Sequence, residues 1–336
     1  MTILAGDIGG TKTVLALFEI SDARPRRIRE ATFRSGEYAS LEAIIGEFLR
    51  DEPARSVETA CFGVAGPVHA GTVRTTNLPW QLDEQTLAKA SGARRVKLIN
   101  DLQAAAYGML FLAPEEFEVL HPGAGQPRVG SAAVIAPGTG LGEAILYRDA
   151  GRYHPIGSEG GHADFAPRTE QEIDLLRYLQ VKLGPHVSYE RVLSGDGIRN
   201  IYSFLRDTSG TTEPAWLQRR LAQGDPNAAI TQIGLAGEHP WCVATLDLFS
   251  SILGAEAGNL ALRCLAVGGI VVGGGIAPKM LPALRKGTFV RAFTDKGRFS
   301  DWMKAVPVRV ALNPQAPLLG AAHFLIDHVI GGSAGT

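Results

Sequence analysis

Cysteine is scarce in this chain, with three in 336 residues. Cys61, Cys242 and Cys264 stand far apart, so no pair has metal-ligand spacing, and the odd count argues against a disulfide framework. All three sit in apolar surroundings and read as small core residues of a protein from a reducing compartment. An excess of one charge is missing too: Lys and Arg total 33 against 34 Asp and Glu. That balance gives no basic footprint for nucleic acid. The densest basic run, Arg24 to Arg29, is followed at once by Glu30 and reads as a solvated turn. No apolar run is long enough to span a bilayer, because Leu260 to Ile276 is interrupted by Arg263 and by glycines. The start, Met-Thr-Ile-Leu-Ala-Gly-Asp, has no basic segment before an apolar stretch and reads as a first strand rather than a signal peptide. No fixed repeat period is present, which excludes a solenoid.

Glycine, in contrast, is plentiful at 40 residues, and it clusters at the ends of short apolar runs. Such a run ending in Gly, Asp or Thr is how a buried strand meets a ligand loop. Ile3 to Gly6 and Val14 to Phe18 read as strands joined by Asp7-Ile8-Gly9-Gly10-Thr11-Lys12, with Gly9-Gly10 expected at positive φ. Helices are expected at Leu41 to Leu49, Leu82 to Ser91 and Leu102 to Leu112, and strands at Thr59 to Val64 and Val96 to Ile99. The pattern then restarts: strand Ala132 to Ala136, turn Gly138-Thr139-Gly140, strand Gly142 to Tyr147. Helices follow at Glu170 to Leu183, Val192 to Leu205, Asn227 to Leu235 and Val243 to Leu265, then a strand at Gly269 to Val272. Asp207 to Pro226 reads as a surface loop or short helix. Two units that each begin strand, glycine turn, strand imply alternating α/β architecture with a duplicated plan.

Six short constellations carry chemistry. In the first, Asp7 could hold a hydrated Mg²⁺ while Gly9, Gly10 and Thr11 let backbone amides approach phosphate; a plain hairpin is the bland alternative. In the second, Gly138-Thr139-Gly140 again joins two strands. A strand follows it rather than a helix, which rejects the dinucleotide fingerprint, and no P-loop string is present. Two such hairpins would grip a triphosphate from both sides. In the third, Asn100-Asp101 ends a strand and opens a helix. Asp101 there could act as a general base and Asn100 could donate to and accept from a hydroxyl, although from the dipeptide alone a helix N-cap, a position that favours Asp, is the stronger reading. In the fourth, Ser158-Glu159-Gly160-Gly161-His162-Ala163-Asp164-Phe165 offers Glu159 and His162 to a polyol, with zinc spacing absent. The fifth, Glu190, reads by itself as a helix-start residue. In the sixth, Gly273, Gly274 and Gly275 after a buried strand leave room for a flat group such as adenosine.

Taken in order, these strings resemble the bacterial glucokinase family, hexokinase-like members of the actin-like ATPases. The resemblance rests on Gly6-Asp7-Ile8-Gly9-Gly10-Thr11, Thr76-Asn77-Leu78-Pro79-Trp80, Ile99-Asn100-Asp101, Gly138-Thr139-Gly140-Leu141-Gly142, Glu159 to Phe165, Glu190-Arg191-Val192-Leu193-Ser194-Gly195, Gly273-Gly274-Gly275-Ile276 and Phe293 to Phe299. It spans about Ile3 to Phe324. It implies two actin-like (ribonuclease H-like) α/β lobes around a central cleft: residues 1–110, with a returning C-terminal helix at 317–330, and residues 111–316. It implies ATP-dependent phosphorylation of glucose to glucose 6-phosphate with Mg²⁺, Asp101 as base, and Asn100, Glu159, His162 and Glu190 as sugar ligands. Asp7, Gly9, Gly10, Thr11, Gly138, Thr139, Gly140 and Gly273 to Gly275 would take the nucleotide, and Asp7 the metal through water. A cytoplasmic homodimer, with neither nucleic acid nor membrane as partner, is the matching expectation. No cysteine cluster follows His162, which places the chain in the zinc-free branch, and Lys12 stands where some relatives carry Asn. A sugar-responsive regulator would need a DNA-binding segment, and none is expected before the strand at Ile3. A chaperone-like or cytoskeletal ATPase would leave Glu159 to Phe165 unexplained.

Overall fold

The computed structural model describes residues 1–21, 24–50, 56–75, 77–126 and 128–330. Thr76 of the Thr76 to Trp80 string lies outside them. By internal contact the chain divides into two compact units. The first comprises Met1–Pro114, Gly151–Gly157 and Asn313–Thr336; the second comprises Glu115–Ala150 and Ser158–Leu312.

In the first unit, strands β1 (Thr2–Ile8), β2 (Lys12–Ser21), β3 (Arg24–Arg34), β4 (Thr59–Val64), β5 (Thr72–Arg74), β6 (Gln81–Asp83) and β7 (Arg95–Asn100) form two sheets. The larger has the order β3-β2-β1-β4-β7, and β5 pairs with β6. β2 is antiparallel to both β1 and β3, while β1, β4 and β7 run parallel. Strand alternation sends Leu4, Ile8, Leu15, Leu17, Phe62 and Leu98 to one face. There they meet the helix Leu41–Arg50, whose Leu41, Ile44, Ile45 and Phe48 form a buried stripe at helical spacing. The other face carries Ile3, Ala5, Ala16, Phe18, Cys61 and Ile99, packed against the helices Asp101–Gly108 and Ala316–Phe324.

The basic run expected as a turn belongs instead to β3. β3 pairs with β2 alone, at the edge of the sheet, where charged side chains are tolerated because one side of the strand faces water. Arg26 pairs with Glu19, and Arg27 with Glu30.

The second unit repeats the plan. Its strands are β8 (Phe117–His121), β9 (Ala132–Pro137) and β10 (Leu141–Asp149), then, after β11 (Arg152–Ser158), β12 (Gly269–Val272) and β13 (Val308–Ala311). The order within the unit is β10-β9-β12-β13-β8. β10 folds back antiparallel on β9, while β9, β12 and β13 run parallel. A strand–glycine turn–strand hairpin followed by parallel strands is thus common to both units, as the actin-like α/β class requires. The helix Pro240–Cys264 supplies Leu246, Phe249, Ile252, Leu253 and Leu260 to the core under this sheet. β8, β11 and β13 were not expected from sequence. The helix expected from Val192 begins at Gly195, behind the short 3-10 turn Tyr189–Arg191, and runs to Thr208. The helix expected over 317–330 is α-helical only over Ala316–Phe324 and continues as a π-helix over Leu325–Ile330. Cys61 and Cys242 are buried, but Cys264 is only half-buried.

Candidate active site

In the first unit, the parallel strands bring three ends to one level. Asp7 on β1 is in register with Gly63 on β4, and Gly63 with Ile99 on β7, one residue before Asn100. Asp7 also pairs with Val14 across β2, so Asp7, Gly63, Val14 and Lys12 project from the same face. The helix Asp101–Gly108 lies over that face: a Cβ on Gly63 would stand 2.8 Å from the Ala104 Cβ and 3.6 Å from the Asp101 Cα. The missing side chain therefore lets Asp101 sit close to the sheet beside Asp7. Burial, then the charge of Asp101, push the Asp7 carboxyl up to about 6, against the opposing pull of Lys12. Burial likewise raises Asp101, although the Leu102 amide, which donates to its carboxylate at 2.8 Å, works the other way.

The helix cap proves to be Asn100. Its Oδ1 accepts from the amides of Leu102 at 3.0 Å and Gln103 at 3.2 Å, and the Gln103 side chain accepts from the Asn100 amide, completing a capping box. Its Nδ2 donates to the Gly66 carbonyl at 3.2 Å. The expected two-way role toward a hydroxyl is narrowed accordingly: the acceptor is spent on the helix, and the side-chain amide donates to the Gly66 carbonyl and the Asp101 carboxylate. Asp101 is the first helical residue rather than the cap.

Neither Gly9 nor Gly10 has positive φ, contrary to expectation. Space is what Gly10 supplies, since a Cβ there would meet the Asn77 Cβ at 2.5 Å. The Gly9 amide closes the turn onto the Lys12 carbonyl at 3.0 Å, while among the described residues the amides of Gly10 and Thr11 have no acceptor. The turn is braced from beneath by Ser35, whose hydroxyl donates to the Gly9 carbonyl at 2.7 Å and lies 3.0 Å from the Thr13 hydroxyl. The Ser35 amide donates to the Thr11 carbonyl at 3.1 Å. Ser35, Thr13 and Asn77 were absent from the sequence-derived site. Nothing local marks Ser35 or Thr13, and Asn77 was visible only as part of a longer string.

In the second unit, Gly138-Thr139-Gly140 turns β9 into β10 on the same scheme. The Gly138 amide donates to the Gly140 carbonyl at 2.8 Å, and the amides of Thr139 and Gly140 have no acceptor among the described residues. The Gly195 amide, at the start of the helix Gly195–Thr208, donates to the Gly138 carbonyl at 2.9 Å. The positive end of that helix thus lies against the hairpin. Glu190 Oε2 accepts from the Leu141 amide at 3.0 Å, committing one carboxylate oxygen to the hairpin. β12 is parallel to β9, with Val272 opposite Ile135, so Gly273 to Gly275 emerges beside the hairpin. Gly274, at φ +75°, backs onto the Pro137 peptide, while nothing stands over Gly275. Glu159 and His162 lie on a 3-10 turn, 4.0 Å apart and about three-fifths exposed.

A family model described as Glucokinase matches residues 4–328. A glucokinase of Trichormus variabilis is 42% identical over 335 residues, covering 95% of this chain and 97% of the relative. A glucokinase of Synechocystis is also 42% identical, covering 96% and 97%. Among solved structures, a glucokinase from an Antarctic psychrotroph superposes with a TM-score of 0.84 at 36% identity, covering 97% of this chain and 99% of its own. The glucose complex of the Balamuthia mandrillaris enzyme has a TM-score of 0.80 at 23% identity, covers 97% and 93%, and supports the fold alone.

Proposed function

Because the chain belongs to the glucokinase family, we propose that it transfers the γ-phosphoryl group of ATP to the 6-hydroxyl of glucose, with Asp101 as general base. The observation that carries the assignment of the base is the position of Asp101, on the first turn of its helix and on the face of the sheet that bears Asp7 and Lys12. Burial moves its carboxyl in the direction that a base working near neutral pH needs.

Within the first unit, Asp101 accepts the hydroxyl proton, Asn100 meets a sugar oxygen with its side-chain amide, and the amides of Gly10 and Thr11 face phosphate. Gly9 takes part by closing the turn. Within the second unit, Glu159 and His162 bind ring hydroxyls, Glu190 offers its second oxygen, and the amides of Thr139 and Gly140 meet phosphate oxygens above the Gly138 turn. Gly273 to Gly275 leaves space for adenosine. Positioning and charge neutralisation carry this reaction, since phosphoryl transfer asks little covalent chemistry of the protein.

Mg²⁺ fits the first unit as a group held mainly by water and phosphate. Asp7 and Asp101 press like charges together in a desolvated position, which a cation relieves, and no cluster of three His, Cys, Asp or Glu among the described residues is arranged to hold a metal alone. When bound, it neutralises the β- and γ-phosphates. No helix among the described residues is long and apolar enough to cross a membrane; cytoplasmic residence and a homodimer complete the proposal.

Coupled detection of ADP with and without glucose tests it. A glucose kinase forms ADP only when sugar is present. ADP formation without sugar returns the chain to the ATPases, and none with either leaves a sugar-binding regulator. Mannose, N-acetylglucosamine and polyphosphate in the same assay set the range of acceptor and donor.

A further inference from the structure

Beneath the Glu159–His162 turn lies a buried acidic pair to which no role has been assigned. Glu143 on β10 is 1% exposed, and Glu256 on the helix Pro240–Cys264 is fully buried. Glu256 is well partnered: Arg263 donates to Oε1 at 2.8 Å and Asn259 to Oε2 at 2.8 Å. Glu143 is not. Its Oε2 lies 3.8 Å from the same Arg263, and its Oε1 is buried without a partner. One guanidinium thus serves two carboxyl groups.

The turn rests directly on Glu143. A Cβ on Gly160 would collide with Glu143 Oε2 and stand 2.9 Å from its Cδ. Ser158 ties the same spot from the backbone side, donating to the Glu143 carbonyl at 2.9 Å and accepting from the Gly160 amide at 3.2 Å. Glu159 and His162 themselves project into solvent, with only each other as ionic partner among the described residues. Their height and orientation are therefore set from below, by Glu143 under Gly160 and by Leu141 under Gly161.

We propose that Glu143, held by Glu256 and Arg263, is the positioning residue of the Glu159–His162 turn and thereby sets affinity for the sugar. The inference rests on the reading of that turn as sugar-binding. Burial, then the charge of Glu256, push the Glu143 carboxyl up to about 8, against Arg263. Near neutral pH Glu143 therefore keeps its proton beside the Glu256 carboxyl group. Ionisation of both places two buried carboxylates on one guanidinium, which desolvation makes costly, and the strain is relieved at Gly160. The other groups around the pair are the Tyr189 hydroxyl, bonded to Asn259 and Glu256, the Cys264 thiol, and Lys296, which donates to Asn259 at 2.6 Å. Burial pulls Lys296 down to about 8, so it titrates in the same range and needs a control.

Glu143→Gln supplies that control, because it keeps the shape and a donor but removes the titration. In the wild type, KM for glucose should be flat to about pH 8 and then rise, at most about tenfold per pH unit; in E143Q it should stay flat. Equal rises in both, or none in the wild type, overturn the proposal. Amide hydrogen exchange at Gly160–His162, read at pH 7 and pH 9, gives a measure independent of substrate. Wild-type exchange should accelerate more than that of E143Q, and equal acceleration overturns the proposal even for a chain that fails to phosphorylate glucose. Gly160→Ala adds a third readout: it should raise KM and be partly rescued by Glu143→Ala in the same chain, and absence of rescue counts against the strut.

Discussion

At the scale of single residues, the first unit joins two carboxylates of different character. Asp7 takes its raised value from burial and from Asp101, and Asp101 takes its own from burial against amide donors. If Asp101 accepts the hydroxyl proton, Asp101→Asn keeps the helix start and the shape of the site but loses the base. Turnover should then fall by about 10²- to 10⁴-fold while glucose binding, read by calorimetry, persists. Near-normal turnover in D101N would remove Asp101 from the chemistry. Asn100 differs in kind, because its cap is worth roughly 1 kcal/mol to the helix that carries Asp101.

At the scale of elements, what places Asp101 is a helix crossing with almost no side chain in it. A Cβ on Gly320 would stand 2.7 Å from both the Ala104 carbonyl carbon and the Gly108 nitrogen, so the helices Asp101–Gly108 and Ala316–Phe324 meet backbone to backbone. Gly320→Ala should force them apart. The expected cost is about 1–3 kcal/mol, seen as a lower urea midpoint, with reduced kcat if Asp101 is the base, because the helix bearing it shifts. An unchanged midpoint would show that the crossing has slack.

At the scale of the whole molecule, several groups bind protons differently in the folded and unfolded chain. Asp7 rises from 3.8 to about 6 and Glu143 from 4.5 to about 8, so each binds more protons when folded. The stability each contributes is full below its unfolded value and is lost as pH rises through its folded one. His239, His323 and His328 are lowered by burial and act in the opposite direction near neutrality. The total profile therefore mixes signs, but the difference between E143Q and wild type isolates one group. In urea titrations, the stability of E143Q relative to wild type should climb from about pH 4.5 to about pH 8 and level off above. A constant difference would mean that Glu143 is ionised throughout.

The sequence alone determined the alternation of strand and helix, the two glycine hairpins and the family, because these are written in short-range patterns: apolar runs, glycine pairs and strings of fixed order. It did not reveal β3, where charge masked an edge strand, or β8 and β13, each only a few residues long. Tertiary structure alone decided which atoms are free to act. Register aligned Asp7 with Gly63 and brought Asp101 over them, the cap consumed the Asn100 acceptor, Ser35 reached back under Gly9, and Glu256 came to face Glu143. Each of these depends on residues far apart in the chain meeting at hydrogen-bond distance, and only the pairing of strands and the packing of helices sets such distances.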